Sequence, residues 1–204
     1  MEKELVNILE KVIPLYSKFG IKTITMDDVA RELGISKKTL YQFVIDKNDL
    51  VHKAVMFDVE RHFYSINCIK EKKLNAIEEL FEINRYLINI VKNYNPSWDH
   101  DLKKYYSETY SILFKKRREQ MLKSVIDNIN RGIEEGFFRK DLNAEHIAKL
   151  HLLRIENMNN TDIFTQEEFA SIEVFNELFY YHIRGMANEK GIKYIEEKLK
   201  GLKD

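Results

Sequence analysis

This sequence predicts an all-α fold, and three features predict it. Apolar residues recur at three- and four-residue intervals, helix-favouring Lys, Glu, Leu and Ile abound, and only two prolines and seven glycines interrupt them in 204 residues. With 44% hydrophobic and 12% aromatic residues, the chain holds enough apolar material for one or two packed cores and is not a disordered polypeptide. Basic and acidic residues balance at 33 each, so the whole chain offers no electrostatic footprint for nucleic acid or an anionic membrane. Any basic surface has to be local.

The elements follow in order. From Glu2 to Phe19 the residues Leu5, Ile8, Leu9, Val12, Leu15 and Tyr16 form a one-sided stripe that Gly20 stops, and Pro14 predicts a bend or a split within it. Thr25 with Asp28 caps a short helix, Met26 to Leu33, that ends at Gly34. Ser36 caps a second short helix, Lys37 to about Val44, and Asp46 with Asp49 caps a third running through Leu50, Ala54, Phe57 and Arg61. Asn75 with Glu78 opens a long helix to about Tyr94, stopped by the turn-like Asn95, Pro96 and Ser97.

Trp98 to Glu135 reads as one or two helices ending at Gly136. Asn143 caps a helix reaching about Met158. After the polar stretch Asn159 to Asp162, Thr165 with Glu168 caps another that continues to about Glu189, and Gly191 separates a short polar tail helix. No repeat, low-complexity block or flexible linker divides the chain. The expected boundary is a change from short to long helices, with one domain over residues 1–46 and a second over 47–204.

The second short helix contains TLYQF, Thr39 to Phe43, whose polar groups need an explanation. With Leu40 pointing inward, Phe43 and Val44 share its side, while Lys38 and Gln42 lie nearly opposite and Thr39 and Tyr41 flank them. In the preceding helix Val29, Ala30 and Leu33 form the matching inner surface, and Gly34 with Ile35 makes the turn. Two helices joined by a short glycine-containing turn form a helix-turn-helix, whose second helix enters the major groove of DNA.

The side chains suit that task. Lys37 and Lys38 add positive charge near free backbone N–H groups, a combination that holds phosphate oxygens. Gln42 can pair bidentately with adenine, Lys38 can donate to guanine, and Thr39 can offer its hydroxyl and methyl to bases or phosphate. Tyr41 and Lys47 suit backbone phosphates. Over this stretch Arg31, Lys37, Lys38 and Lys47 outnumber Glu32 and Asp46, a modest local basicity.

The stretch GIKTITMDDVARELGISKKTLYQFVIDKNDL, Gly20 to Leu50, resembles the N-terminal signature of the TetR family of bacterial transcriptional regulators. The matching features are the leading glycine, a Thr-capped helix holding Val29-Ala30, the turn LGIS, the core TLY, and a downstream K-x-D-L. About 30 residues match in order and spacing, while the remainder matches only in helix pattern. The resemblance implies an all-α homodimer whose three N-terminal helices bind double-stranded operator DNA and whose larger domain binds a small effector. It places DNA contacts at Thr25, Lys37, Lys38, Thr39, Tyr41, Gln42 and Lys47, with Ala30, Gly34, Ile35 and Leu40 supporting the fold. Val44 and Ile45 depart from the family pattern, which usually has a bulky aromatic followed by a polar residue.

In the last helices Ile147, Leu150, Phe175, Leu178 and Phe179 belong to surfaces apolar on most sides, which a second copy of the chain would cover. The middle of the chain is rich in amphipathic aromatics, and Tyr86, Trp98, Tyr106, Tyr110 and Phe114 with Met121 suit either a pocket for an apolar or aromatic effector or an ordinary core. The run Lys115, Lys116, Arg117, Arg118 points around a helix in several directions and reads as a solvated face.

Other functions lack their signatures. Asp99, His100 and Asp101 are adjacent and do not converge on one ion, and His146 and His151 are poorly spaced for one helical face. Without HExxH, paired cysteines, a glycine-rich phosphate loop or a nucleophile motif, no metal, cofactor or enzymatic activity is expected. MEKELVNILEK is neither a secretory signal nor a membrane anchor, and the lone Cys68 fits a reducing cytoplasm. The expectation is therefore a cytoplasmic, ligand-responsive regulator, most simply a repressor, acting as a homodimer on a pseudo-palindromic operator. The alternative is an all-helical ligand-binding or protein-interaction module whose helix-turn-helix is only architectural.

Overall fold

In the computed structural model the described residues are 2–92, 95–157, 165, 168 and 171–201, and among them the chain forms ten helices and no strand. These are α1 (Glu2–Phe19), α2 (Met26–Leu33), α3 (Lys37–Leu40), α4 (Lys47–Lys70), α5 (Ala76–Val91), α6 (Pro96–Tyr105), α7 (Ser107–Glu134), α8 (Ala144–Asn157), α9 (Ile172–Met186) and α10 (Glu189–Lys200). The all-α expectation holds. Two compact units divide the chain, Met1–Ser65 with Tyr94–Arg117 and Ile66–Asn93 with Arg118–Asp204, and each has its own apolar core.

In the first unit α1 presents Ile8, Leu9, Val12, Ile13 and Tyr16 to Val29 and Ala30 of α2, Leu40 of α3 and Leu50, Val51, Ala54 and Val55 of α4. Trp98 and Leu102 of α6 and Leu113 of α7 complete this core. Of the bend or split expected at Pro14, no split occurs: α1 runs unbroken from Glu2 to Phe19, with Pro14 and Glu10 both exposed.

Local polar chemistry sets the short elements. Thr25 and Asp28 form a reciprocal capping box on α2, and Gly34 (φ 67°) closes it in the left-handed conformation, with its own N–H and that of Ile35 satisfying the last carbonyls. Ser36 caps α3, which is shorter than the predicted Lys37–Val44. Beyond Leu40 the chain tightens: Gln42 N–H donates to Thr39 O and Phe43 N–H to Leu40 O, each three residues back. Asp46 Oδ1 then accepts the Asp49 N–H at 2.8 Å, and Asp49 Oδ2 accepts the Ile45 N–H at 2.9 Å, opening α4 as expected.

Several boundaries differ from the sequence reading. Asn95, Pro96 and Ser97 begin a helix instead of merely stopping one: Asn95 caps α6, and proline is tolerated in the first turn, where its missing N–H has no helical partner. α5 ends at Val91, and the expected end near Tyr94 lies outside the described residues. The region from Trp98 divides into two helices at Tyr106 (φ −134°, ψ 48°). Thr165 and Glu168 do bond reciprocally, but Ser171 is extended, so the helix expected to run from Thr165 to Glu189 is interrupted before α9 and again at Ala187. Met158, Asn159 to Asp162 and Phe169 lie outside the described residues.

The second unit packs Ala76 and Ile77 of α5 and Ile129 of α7 with Phe138, Ile183, Met186, Ala187 and Ile195. Gly191 does not separate a tail helix; it lies inside α10, where a Cβ would stand 2.2 Å from the Phe137 carbonyl oxygen. Asn188 caps that helix instead. A buried carboxylate, Glu79, accepts from Asn128 Nδ2 at 2.9 Å and pairs with Arg131 at 2.7 Å, tying α5 to α7. Among the described residues no helix is long and apolar enough to cross a membrane.

Candidate nucleic-acid interface

The helix-turn-helix is a polar face laid on an apolar base. Leu40 and Val44 are buried and Phe43 packs against the same core, which leaves Lys38, Tyr41 and Gln42 exposed together on the outer side. Lys38 and Gln42 make no side-chain bond among the described residues, so their donors face solvent. Ile45, where the family pattern has a polar residue, is 83% exposed beside them.

The other predicted contacts are already engaged. Lys37 Nζ pairs with Asp27 Oδ2 at 2.9 Å, and that hydrogen bond holds its pKa up, but the pair is exposed and easily exchanged for another anion. Thr39 Oγ1 meets Ser36 Oγ at 2.7 Å. Thr25 gives both its N–H (3.0 Å) and its hydroxyl (2.6 Å) to Asp28 Oδ2, bonds that hold the Asp28 carboxyl below its usual range. A phosphate can use Thr25 only by displacing Asp28. Lys47 is half-buried and donates from Nζ to the Lys22 carbonyl at 3.0 Å; burial pushes its pKa down, opposed by the charges of Asp101 and Asp28.

Sequence reasoning missed Lys22. Its N–H donates to Asp101 Oδ2 at 2.8 Å and its Nζ to the Tyr105 hydroxyl at 3.0 Å, across about eighty residues of chain that carry no local signal.

Of the six aromatic and Met positions considered for an effector, four belong to the first unit and two to the second. Trp98 is buried with its ring 6.2 Å from that of Tyr16, Tyr106 and Tyr110 pack on the same core, and Phe114 stacks on Tyr110 at 5.5 Å, all in the first unit. Tyr86 and Met121 belong to the second unit. A cavity of about 710 Å³ in that unit is lined by Lys72, Glu78, Phe81, Glu82, Arg85 and Tyr194 among others, and by none of the six.

Of the residues considered for self-association, Ile147 and Phe179 lean into the second core, and Leu150 is 61% exposed. Phe175 and Leu178 are half-buried. Leu153 (58%) and Tyr181 (81%) add further exposed apolar surface on α8 and α9.

No family model matches the chain. In sequence it is similar to the HTH-type transcriptional repressor KstR2 of Mycobacterium tuberculosis, 23% identical over 145 residues that cover 70% of this chain and 72% of the repressor. In structure it is similar to a TetR transcription regulator of Haloarcula marismortui, with TM-score 0.74, 20% identity and coverage of 92% and 100% of the two chains. A second structural neighbour is a putative transcriptional regulator of Saccharomonospora viridis in complex with choline, with TM-score 0.64, 17% identity and coverage of 93% and 100%. The protein is thus a helix-turn-helix protein by site and all-α by architecture. Its fold is that of the TetR-family transcription regulators.

Proposed function

We propose that the protein is a cytoplasmic, ligand-responsive transcription regulator, a repressor, that binds a pseudo-palindromic operator as a homodimer. The observation that carries this reading is the outward presentation, around a buried Leu40, of Lys38 on the Ser36-capped α3 and of Tyr41 and Gln42 in the turn that continues it. That arrangement offers an amide and an ammonium to base edges and a phenol to the backbone. Residues 1–46 form the reader, and 47–204 hold the effector-binding and dimerisation functions. The exposed Leu150, Leu153 and Tyr181 support pairing through α8 and α9, and the abundance of amphipathic aromatics supports a small apolar or aromatic effector. Effector binding would shift α4, the helix that begins at Lys47, and change the spacing of the two recognition helices. A pair out of register with successive major grooves loses affinity.

The test is selection of bound duplexes from a random pool by the purified full chain. Enrichment of an inverted repeat supports the reading, and a folded Tyr41→Ala/Gln42→Ala variant is expected to lose affinity for it. Recovery of no sequence by folded, ligand-free protein would sink the proposal in favour of a ligand or protein-interaction module.

A further inference from the structure

We propose that Lys22, Lys104 and Tyr105 form a second DNA-contacting patch, gripping the phosphodiester backbone beside the stretch read by α3; this rests on the operator-binding reading above. Lys22 lies in the turn between α1 and α2, three residues before Thr25. Lys104 and Tyr105 end α6. The Lys22 ammonium stands 4.6 Å from the centre of the Tyr105 ring and bonds its hydroxyl, while the Lys104 ammonium stands 5.4 Å from the same ring. Both lysines are exposed, and Tyr105 is 40% exposed.

Two ammonium groups converge on one phenol that can give a proton outward. The Tyr105 oxygen accepts from Lys22, so its own O–H is free to donate, and each lysine keeps further N–H donors. The near carboxylate, Asp101, is buried, with one oxygen committed to the Lys22 N–H and the other 3.6 Å from His100. It anchors the patch from behind instead of covering it. Gly20 allows this approach, since a Cβ there would stand 3.2 Å from Asp101 Oδ2.

The patch is continuous with the reader. Lys47 donates to the carbonyl of Lys22, and Lys22 donates to Asp101 and Tyr105, so the start of α4, the α1–α2 turn and α6 are joined through Lys22. Like charges held together on an exposed surface repel one another, and an anion relieves that repulsion. The anion next in line along a duplex seated on α3 is a backbone phosphate.

The experiment measures affinity for the selected operator across a salt series with the full-length protein. In a Lys22→Gln/Lys104→Gln variant, which loses two contacts per protomer and four per dimer, the slope of log affinity against log salt is expected to shallow by about 3.6, at about 0.9 per lost phosphate contact. Base preference should stay the same, and hydroxyl-radical protection should shrink at the outer edges of the footprint. Lys104→Gln alone, which leaves the Lys22 bonds in place and removes two contacts per dimer, should shallow the slope by about 1.8. Lys193→Gln/Lys200→Gln on α10 serves as the control for net charge. An unchanged slope and footprint in the double variant, with the wild type binding normally, overturns the patch alone; a wild type that selects no operator overturns the function and the patch together.

Discussion

His151 of α8 and His182 of α9 face each other with ring centroids 4.4 Å apart, and Arg154 Nη2 lies 3.0 Å from His151 Nδ1. Burial, then the neighbouring positive charge, pushes His151 down to about 3 and His182 to about 4. Both are therefore neutral in the folded protein near neutral pH.

Acid should weaken this fold earlier than carboxylate titration alone would. In the unfolded chain the two histidines titrate near 6.5, so between about pH 6.5 and about pH 4 the unfolded state binds more protons. Stability is complete above that window and falls as pH drops through it, by about 1.4 kcal/mol per pH unit for each histidine at most. Urea midpoints measured from neutral pH to about pH 5 should fall, and His182→Gln should flatten the profile. A wild-type midpoint that does not move would disprove the buried neutral pair.

Thr25→Val keeps the shape of the side chain and removes its oxygen. The α2 cap loses its bond to the Asp28 N–H, and stability should drop by about 1 kcal/mol. Chemical denaturation reads this directly. A loss near zero would mean that solvent replaces the cap.

Gly191→Ala places a methyl against the Phe137 carbonyl and the side chain of Ala187. Neither neighbour is the loose end of a long side chain, so α10 has to move, at a cost of about 1–3 kcal/mol. Gly34 differs, because a Cβ there meets nothing within 4 Å and only its φ of 67° resists substitution. Gly34→Asn should accordingly be milder than Gly191→Ala in thermal unfolding, and the reverse order would contradict both assignments.

Leu150→Glu/Leu153→Glu introduces charge onto the exposed face of α8. Sedimentation should show a dimeric wild type and a monomeric variant of unchanged helix content. A variant that remains dimeric would place self-association on another surface.

Much of this molecule is legible in the sequence where the determinant is local. The Thr25–Asp28 box, the Gly34 stop and the Ser36, Asn75 and Asn143 caps follow from residues three or four apart, and so does the inward set of Val29, Ala30 and Leu40. What escaped depends on distant partners. Gly191 reads as punctuation until Phe137 is set against it, and Asn95-Pro96 reads as an end although it begins α6. The engagement of Lys47 by the Lys22 carbonyl, and the meeting of Lys22 with α6, depend on contacts between separate segments that no spacing encodes.

The first core draws Trp98, Leu102 and Leu113 from far downstream, and both α4 and α7 continue from one compact unit into the other. This makes the helix-turn-helix a poor module for recombination. Cutting after α3, or grafting the first 46 residues onto another protein, would strip Leu40 and Val12 of the α6 and α7 side chains that share their core. A successful chimera has to inherit α6 with the helix-turn-helix, so α3 and the helix at its back are expected to change hands together or not at all.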